Sequence, residues 1–232
     1  MLKILLSLLT FISLMGCLES TTRNAGPLND WRLSCSPDAG SVRQVSGGWD
    51  FSTGNNNRVG GIFDQRAEIV SDNFPINRAG DYLFTTTIAM TSPVNREFSI
   101  FSIHDGRRGC APPMQLFVQP DGRMYVASAI KTGAGQSCID QQLGGISPDR
   151  ILRNGTEQDL RILVQFDGAG GFGLTVWLDG EVQITGRYRP PSDPNALVTD
   201  RFFFKHGVYS RTVFDYLLQS RGMQVVRVLN DA

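Results

Sequence analysis

Between residue 60 and the C-terminus the chain alternates short runs rich in Val, Ile, Phe, Tyr and Thr with clusters of Gly, Pro, Asn and Asp. No segment sustains the 3.6-residue period of an amphipathic helix, whereas many fit the period of two that a strand requires. The pattern predicts strands over 61–70, 81–90, 97–104, 114–119, 124–130, 158–166, 171–178, 181–185, 201–210 and 223–229. Turn chemistry supports several of the joints. Pro120-Asp121-Gly122 separates two of these runs and Asp179-Gly180 another two. Asp167-Gly168-Ala169-Gly170-Gly171 is a longer glycine-rich turn. Residues 212–219 read as one short helix and 147–152 as a turn. Ten or so strands at this spacing, with no helices between them, imply an all-β fold. The expected form is a two-sheet β-sandwich of jelly-roll (concanavalin-like) type. Arg189-Pro190-Pro191-Ser192-Asp193-Pro194 is read as a loop within it, because strands continue afterwards.

The N-terminus departs from this pattern. Met1-Leu2-Lys3 gives a positive start, and an apolar run follows from Ile4 to Met15, ending in Gly16-Cys17. The run is too short to span a bilayer and has the length of a signal-peptide core. Gly then Cys directly after that core resembles a bacterial lipobox, with Cys17 as the lipidated residue. An ordinary secretory signal with an incidental Cys17 is the competing reading. The expected organisation is a signal peptide over 1–17, a polar tether over 18–30 and one domain over 31–232. Such a protein is exported, to the bacterial cell envelope or beyond, and meets a membrane only through its lipid anchor.

Export implies an oxidising compartment. Setting Cys17 aside leaves Cys35, Cys110 and Cys138. Cys110 and Cys138 flank a hairpin-like pair of strands and are the favoured disulfide; a pair that includes Cys35 is the alternative. With 22 basic and 22 acidic residues the formal net charge is zero. Whole-molecule charge therefore gives no reason to invoke nucleic acid. A monomer is expected.

The stretch Arg201-Phe202-Phe203-Phe204-Lys205-His206-Gly207-Val208-Tyr209-Ser210-Arg211 carries the most chemistry. Alternation puts Phe202, Phe204, His206 and Val208 on a core face. Lys205, Gly207, Tyr209 and Arg211 fall on the other, with the glycine leaving room above the sheet. Arg66 and Glu68 share one face of another strand, beside Gln65, and Ser102 and His104 one face of a third. Scattered charges on a solvated sheet face would give the same pattern, so the order of these segments matters.

Taken in order, they resemble the signatures of the jelly-roll polysaccharide lyases, notably alginate lyase family seven and related glucuronan and heparin lyase-like proteins. Arg66-Ala67-Glu68-Ile69 resembles the family's Arg-(Ser/Thr)-Glu-Leu, and Ser102-Ile103-His104 its Gln-(Ile/Val)-His. Phe203-Phe204-Lys205-His206-Gly207-Val208-Tyr209-Ser210-Arg211 resembles Tyr-Phe-Lys-Ala-Gly-Val-Tyr-Asn-Gln. Val176-Trp177-Leu178-Asp179-Gly180 resembles a hairpin common in the wider group. The chain departs from the family at Ser102 and Arg211, each in place of a glutamine, and at His206, in place of a small residue.

The resemblance implies β-elimination on an acidic polysaccharide such as alginate or glucuronan. The proton at C5 of a uronate leaves, and the oxygen at C4 is expelled. That C–H is acidic enough only when the adjacent carboxylate is neutralised. The resemblance gives Arg66 this task, its planar fork suiting a carboxylate. It makes His104 a neutral base or polarising group and Tyr209 the proton donor to the leaving oxygen. Lys205 and Arg211 on the tyrosine's face would favour its phenolate. Ser102, Lys205, Arg211, Glu68 and Gln65 are the expected substrate-binding residues. No cofactor and no metal is implied. A non-catalytic carbohydrate-binding or adhesion lipoprotein on the same fold is the alternative, because the fold alone entails no catalysis.

Overall fold

The computed structural model describes residues 22–24, 30–34, 40–53, 65–72, 74–75, 80–107, 109–132, 137–190 and 201–228. The signal peptide, Cys17, Cys35 and the start of the strand expected over 61–70 lie outside the described residues.

Every regular element described is a strand, and the strands form two antiparallel sheets packed face to face. The first sheet contains β1 (Thr22–Asn24), β3 (Val42–Val45), β4 (Gly48–Thr53), β7 (Gly80–Thr91), β12 (Asn154–Phe166), β13 (Phe172–Leu178), β14 (Glu181–Tyr188) and β16 (Tyr216–Val228). Its order is β14-β13-β12-β7-β16-β4-β3, with β1 paired to β16. The second contains β2 (Arg32–Leu33), β5 (Gln65–Val70), β6 (Phe74–Pro75), β8 (Phe98–His104), β9 (Met114–Val118), β10 (Met124–Lys131), β11 (Cys138–Gln142) and β15 (Arg201–Ser210). Its order is β11-β10-β9-β8-β15-β5-β2, with β6 paired to β15. This is the jelly-roll sandwich expected from the strand spacing.

The inward residues of both sheets make one core. Phe51, Phe84, Phe101, Phe204 and Phe172 are essentially solvent-free. His206 lies among them. Its Nδ1–H donates to the Ile100 carbonyl at 2.9 Å, and its Nε2 accepts from the Ser220 hydroxyl at 2.5 Å. Ser220 belongs to the facing sheet, so this is a polar tie across the core. The Phe51 and Phe84 rings flank the imidazole at 5.3 and 5.1 Å. Burial holds its pKa down at about 4, so it is neutral.

The sequence reading is corrected at several points. Residues 212–219 form no helix: β16 begins at Tyr216, and Phe214, Tyr216, Leu218 and Ser220 are buried with a period of two. Strands β3, β4 and β11 were not expected. Thr22–Asn24, inside the expected tether, adds a short strand to the first sheet. The Asp179-Gly180 turn has both residues at positive φ, 52° and 88°, as a tight hairpin with a matching twist requires.

A candidate active site on the outer face of the second sheet

Strand β15 sits inside the second sheet, between β8 and β5. Register places Tyr209 opposite both Arg66 on β5 and Ser99 on β8, Lys205 opposite Ser102, and Phe203 opposite His104. The core face of β15 takes Phe202, Phe204, His206 and Val208, so Phe203, Lys205 and Tyr209 project from the sandwich. Gly207 does not leave room for a ligand, as alternation suggested. Its φ is 135°, and a Cβ there would lie 2.1 Å from the Ala67 carbonyl oxygen and 3.0 Å from Phe51. It permits a close backbone approach beside the register shift between His206 and Tyr209.

A groove of about 490 Å³ opens on this face. Arg66, His104 and Tyr209 all line it. The Arg66 guanidinium lies over the Tyr209 ring, 4.3 Å from its centroid. The His104 ring stacks on Phe203 at 5.2 Å. Burial depresses the His104 pKa well below its ordinary value, and the Lys205 and Arg66 charges press it further down. The imidazole is therefore neutral at physiological pH.

The expected substrate-binding residues divide. Arg211 lines the groove. Glu68 and Lys205 are buried beneath its floor, where the Glu68 carboxylate holds Arg66 at 3.4 Å and Lys205 at 3.8 Å. Burial raises the Glu68 pKa against the opposing pull of the two cations. Ser102 is also buried, and it is not among the groove-lining residues. Gln65 is turned away altogether. Its amide donates to the Phe214 carbonyl and accepts from the Phe214 N–H, both at 3.1 Å. The local alternation that grouped these residues could not distinguish the floor from the layer below it.

Gln115, Phe117 and Tyr125 are among the residues that line the groove without having been expected. Phe117 and Tyr125 stack at 5.2 Å with nearly parallel rings and pack with Tyr209 into an aromatic strip. Burial, with the Glu97 carboxylate nearby, pushes the Tyr125 pKa up to about 12, so this phenol stays protonated. Tyr125 and Phe117 face each other in the β9–β10 register, and that pairing was the signal available in the sequence. One wall of the groove is closed by the Cys110–Cys138 disulfide, whose Cα atoms are 5.8 Å apart. Behind it, Arg107 forms a buried ion pair with Asp105 and donates to the Tyr188 hydroxyl at 3.3 Å. This braces the loop that follows His104.

No family model matches the chain, and no curated protein matches it. Solved structures do resemble it. Family 7 alginate lyase A1-II′, solved in complex with the substrate GGMG, superposes with a TM-score of 0.61 at 12% identity, over 88% of this chain and 95% of that one. The exolytic family 7 alginate lyase AlyA5 from Zobellia galactanivorans gives 0.59 at 12% identity, covering 88% and 97%. An alginate lyase from Pseudomonas aeruginosa gives 0.54 at 17% identity, covering 80% and 85%. The protein thus has the jelly-roll fold of the polysaccharide lyases. At these identities the likeness concerns the fold, and activity has to be argued from the groove.

Proposed function

We propose that the protein is a polysaccharide lyase that cleaves a uronic-acid-containing polysaccharide, of the alginate or glucuronan kind, by β-elimination. The observation that carries this reading is the convergence of Arg66, His104 and Tyr209 on one groove from three different strands. In this reading the Arg66 guanidinium neutralises the substrate carboxylate, so charge developing at C5 is stabilised as it forms. Neutral His104 is able to accept or share a proton, which an imidazolium could not. Tyr209 gives its phenolic proton to the departing C4 oxygen, and for one C5 stereochemistry also receives the C5 proton. The C4–O bond breaks, a C4=C5 double bond forms, and the proton lost from C5 balances the one gained by the leaving oxygen. The buried Glu68 orients Arg66 and Lys205 from below. Arg211 and the aromatic strip bind the flanking sugar units.

The protein would act outside the cytoplasm. Its N-terminal apolar run with Gly16-Cys17 and its Cys110–Cys138 disulfide both support export. The test is incubation of the purified domain with a panel of uronate polysaccharides, following the ultraviolet absorbance of the unsaturated product. A rise with one polymer, abolished in Tyr209→Phe, is the expected result. A flat trace with intact sugar binding would move the assignment to a non-catalytic sugar-binding module.

A further inference from the structure

Gln115 is an anomaly among the buried glutamines described. Gln65 is bonded at both ends to Phe214. Gln158 accepts from Leu152 N–H and donates to the Arg150 carbonyl and Asp179. Gln183 accepts from Asp149 N–H and donates to its carboxylate. Gln115 is only 4% exposed, lines the groove, and has no hydrogen-bond partner among the described residues. Its amide is the part of the side chain open to the groove, so a donor and an acceptor not used by the protein are presented there to a ligand.

The register shows what it faces. Across the sheet run Lys205, Ser102, Gln115 and Ala127, each opposite the next and on the same face. Ser102 and Ala127 are short, which leaves open space on both sides of the Gln115 side chain. Lys205 is drawn down to Glu68. Gln115 is thus the long polar side chain of this row that reaches the groove, and Arg66, His104 and Tyr209 line the same groove.

We propose that Gln115 contacts the substrate carboxylate directly, its amide N–H donating to a carboxylate oxygen while its carbonyl accepts from a sugar hydroxyl. This rests on the lyase reading of the groove. Gln115 would set the groove's preference for a uronate over the corresponding neutral sugar, because a neutral sugar has no acceptor of that strength to offer.

The test uses Gln115→Leu, Gln115→Glu and the double variant Ser102→Gln/Gln115→Ala, with wild-type protein, oligouronates and carboxyl-reduced oligosaccharides of the same length. Gln115→Leu is expected to lower kcat/KM on the uronate polymer about a hundred-fold, as loss of one transition-state donor does elsewhere. Binding of the carboxyl-reduced oligosaccharide should fall much less than binding of the oligouronate, and the melting temperature should stay at the wild-type level. Gln115→Glu should lose more, by repelling the carboxylate. The double variant moves the amide one strand over, a shift of about 4.8 Å, and should recover part of the loss. Wild-type turnover with an unimpaired Gln115→Leu would overturn the role of Gln115 and leave the lyase reading standing. Equal loss of binding to native and reduced oligosaccharides would also overturn it, by showing a structural role. If the wild type binds oligouronates without cleaving them, the lyase reading fails. The affinity ratio of native to reduced ligand in Gln115→Leu then decides the carboxylate contact alone. If it binds no uronate, both fail.

Discussion

Arg66 and Tyr209 face each other across neighbouring strands, the guanidinium carbon 4.3 Å from the centre of the phenol ring. The contact holds both residues in the groove and ties the orientation of the cation to the position of the ring. Lysine cannot reproduce it, because an ammonium lacks the planar fork that stacks on a ring and grips a carboxylate. Arg66→Lys should therefore lower kcat/KM on the uronate substrate at least about ten-fold. Tyr209→Phe preserves the stacked ring and removes only the hydroxyl. It should cost about 10²- to 10⁴-fold in kcat with little change in affinity, as loss of a proton-transfer group does. Steady-state kinetics with titration calorimetry would separate the two. A Tyr209→Phe enzyme with unchanged kcat would remove the phenol from the chemistry.

The neutral state of His104 has a pH consequence. Burial, then Lys205 and Arg66, hold its pKa well below 6.5. The acid limb of kcat/KM set by this imidazole should lie well below pH 6.5. Lys205→Met removes one of the repelling cations, and the His104 pKa should rise. With two histidines in the chain, an NMR titration resolves the change directly. An unmoved resonance would mean that burial and Arg66, without Lys205, set the value.

Much of the fold was legible because the inner strands alternate cleanly. β13 buries Phe172, Leu174, Val176 and Leu178 and turns the residues between them outward. The edge strands were hidden. On the edge strand β3, Arg43 pairs with Asp50 of the neighbouring β4 at 3.0 Å, and on the edge strand β11 Ile139 is exposed. Edge strands are commonly polar, which protects them from pairing with other chains. The expected helix at 212–219 is a strand start because Phe214, Tyr216, Leu218 and Ser220 are buried with a period of two, which only the partners across the sheet reveal. At the site, Arg66, His104 and Tyr209 were legible through motif order. Gln115 and Tyr125 were not, because no motif marks them and only the pairing of β9 with β8 and β10 brings them beside His104 and Tyr209.

The disulfide gives a stability prediction. It joins residues 28 apart across the meander of β9, β10 and β11 and lines the groove. By loop-closure entropy, replacing both cysteines with serine should cost about 3 to 4 kcal/mol. A groove wall that loosens should also raise KM more than it lowers kcat. Chemical denaturation checks the first and kinetics the second. An oxidised-like stability in the double variant would mean that the strands alone hold the wall.

The buried ion pair of Arg107 and Asp105 should be intolerant of single substitutions. Burial raises the Asp105 pKa, while Arg107 pulls it down by charge and hydrogen bonding. Arg107→Leu leaves a buried carboxylate without its cation, which costs about 3 to 5 kcal/mol in comparable settings. The double change Arg107→Leu/Asp105→Asn should recover much of this, since no charge is then left buried. A denaturation series on the three proteins measures the coupling; additive losses would contradict it.

The His206–Ser220 tie predicts how the fold responds to acid. The folded pKa of about 4 lies below the unfolded value of 6.5, so the unfolded chain binds the additional proton between those values. The histidine's contribution is therefore complete above pH 6.5 and disappears as pH falls towards 4, a loss of about 3 kcal/mol. His104 acts in the same direction, its pKa also being depressed. Glu68 acts oppositely. Its raised pKa gives a contribution present below 4.5 and lost as pH rises through the folded value, so between 4.5 and that value it opposes the loss that the histidines cause on acidification. His206→Phe should flatten the dependence of unfolding free energy on pH between 4 and 6.5, leaving the part due to His104. Ser220→Ala leaves Nε2 without its donor and should cost about 1 to 3 kcal/mol at neutral pH. The imidazole then has less reason to remain neutral, and its pKa should rise. Urea denaturation of the variants across this range decides the matter, and an unchanged slope in His206→Phe would place the acid sensitivity elsewhere in the sandwich.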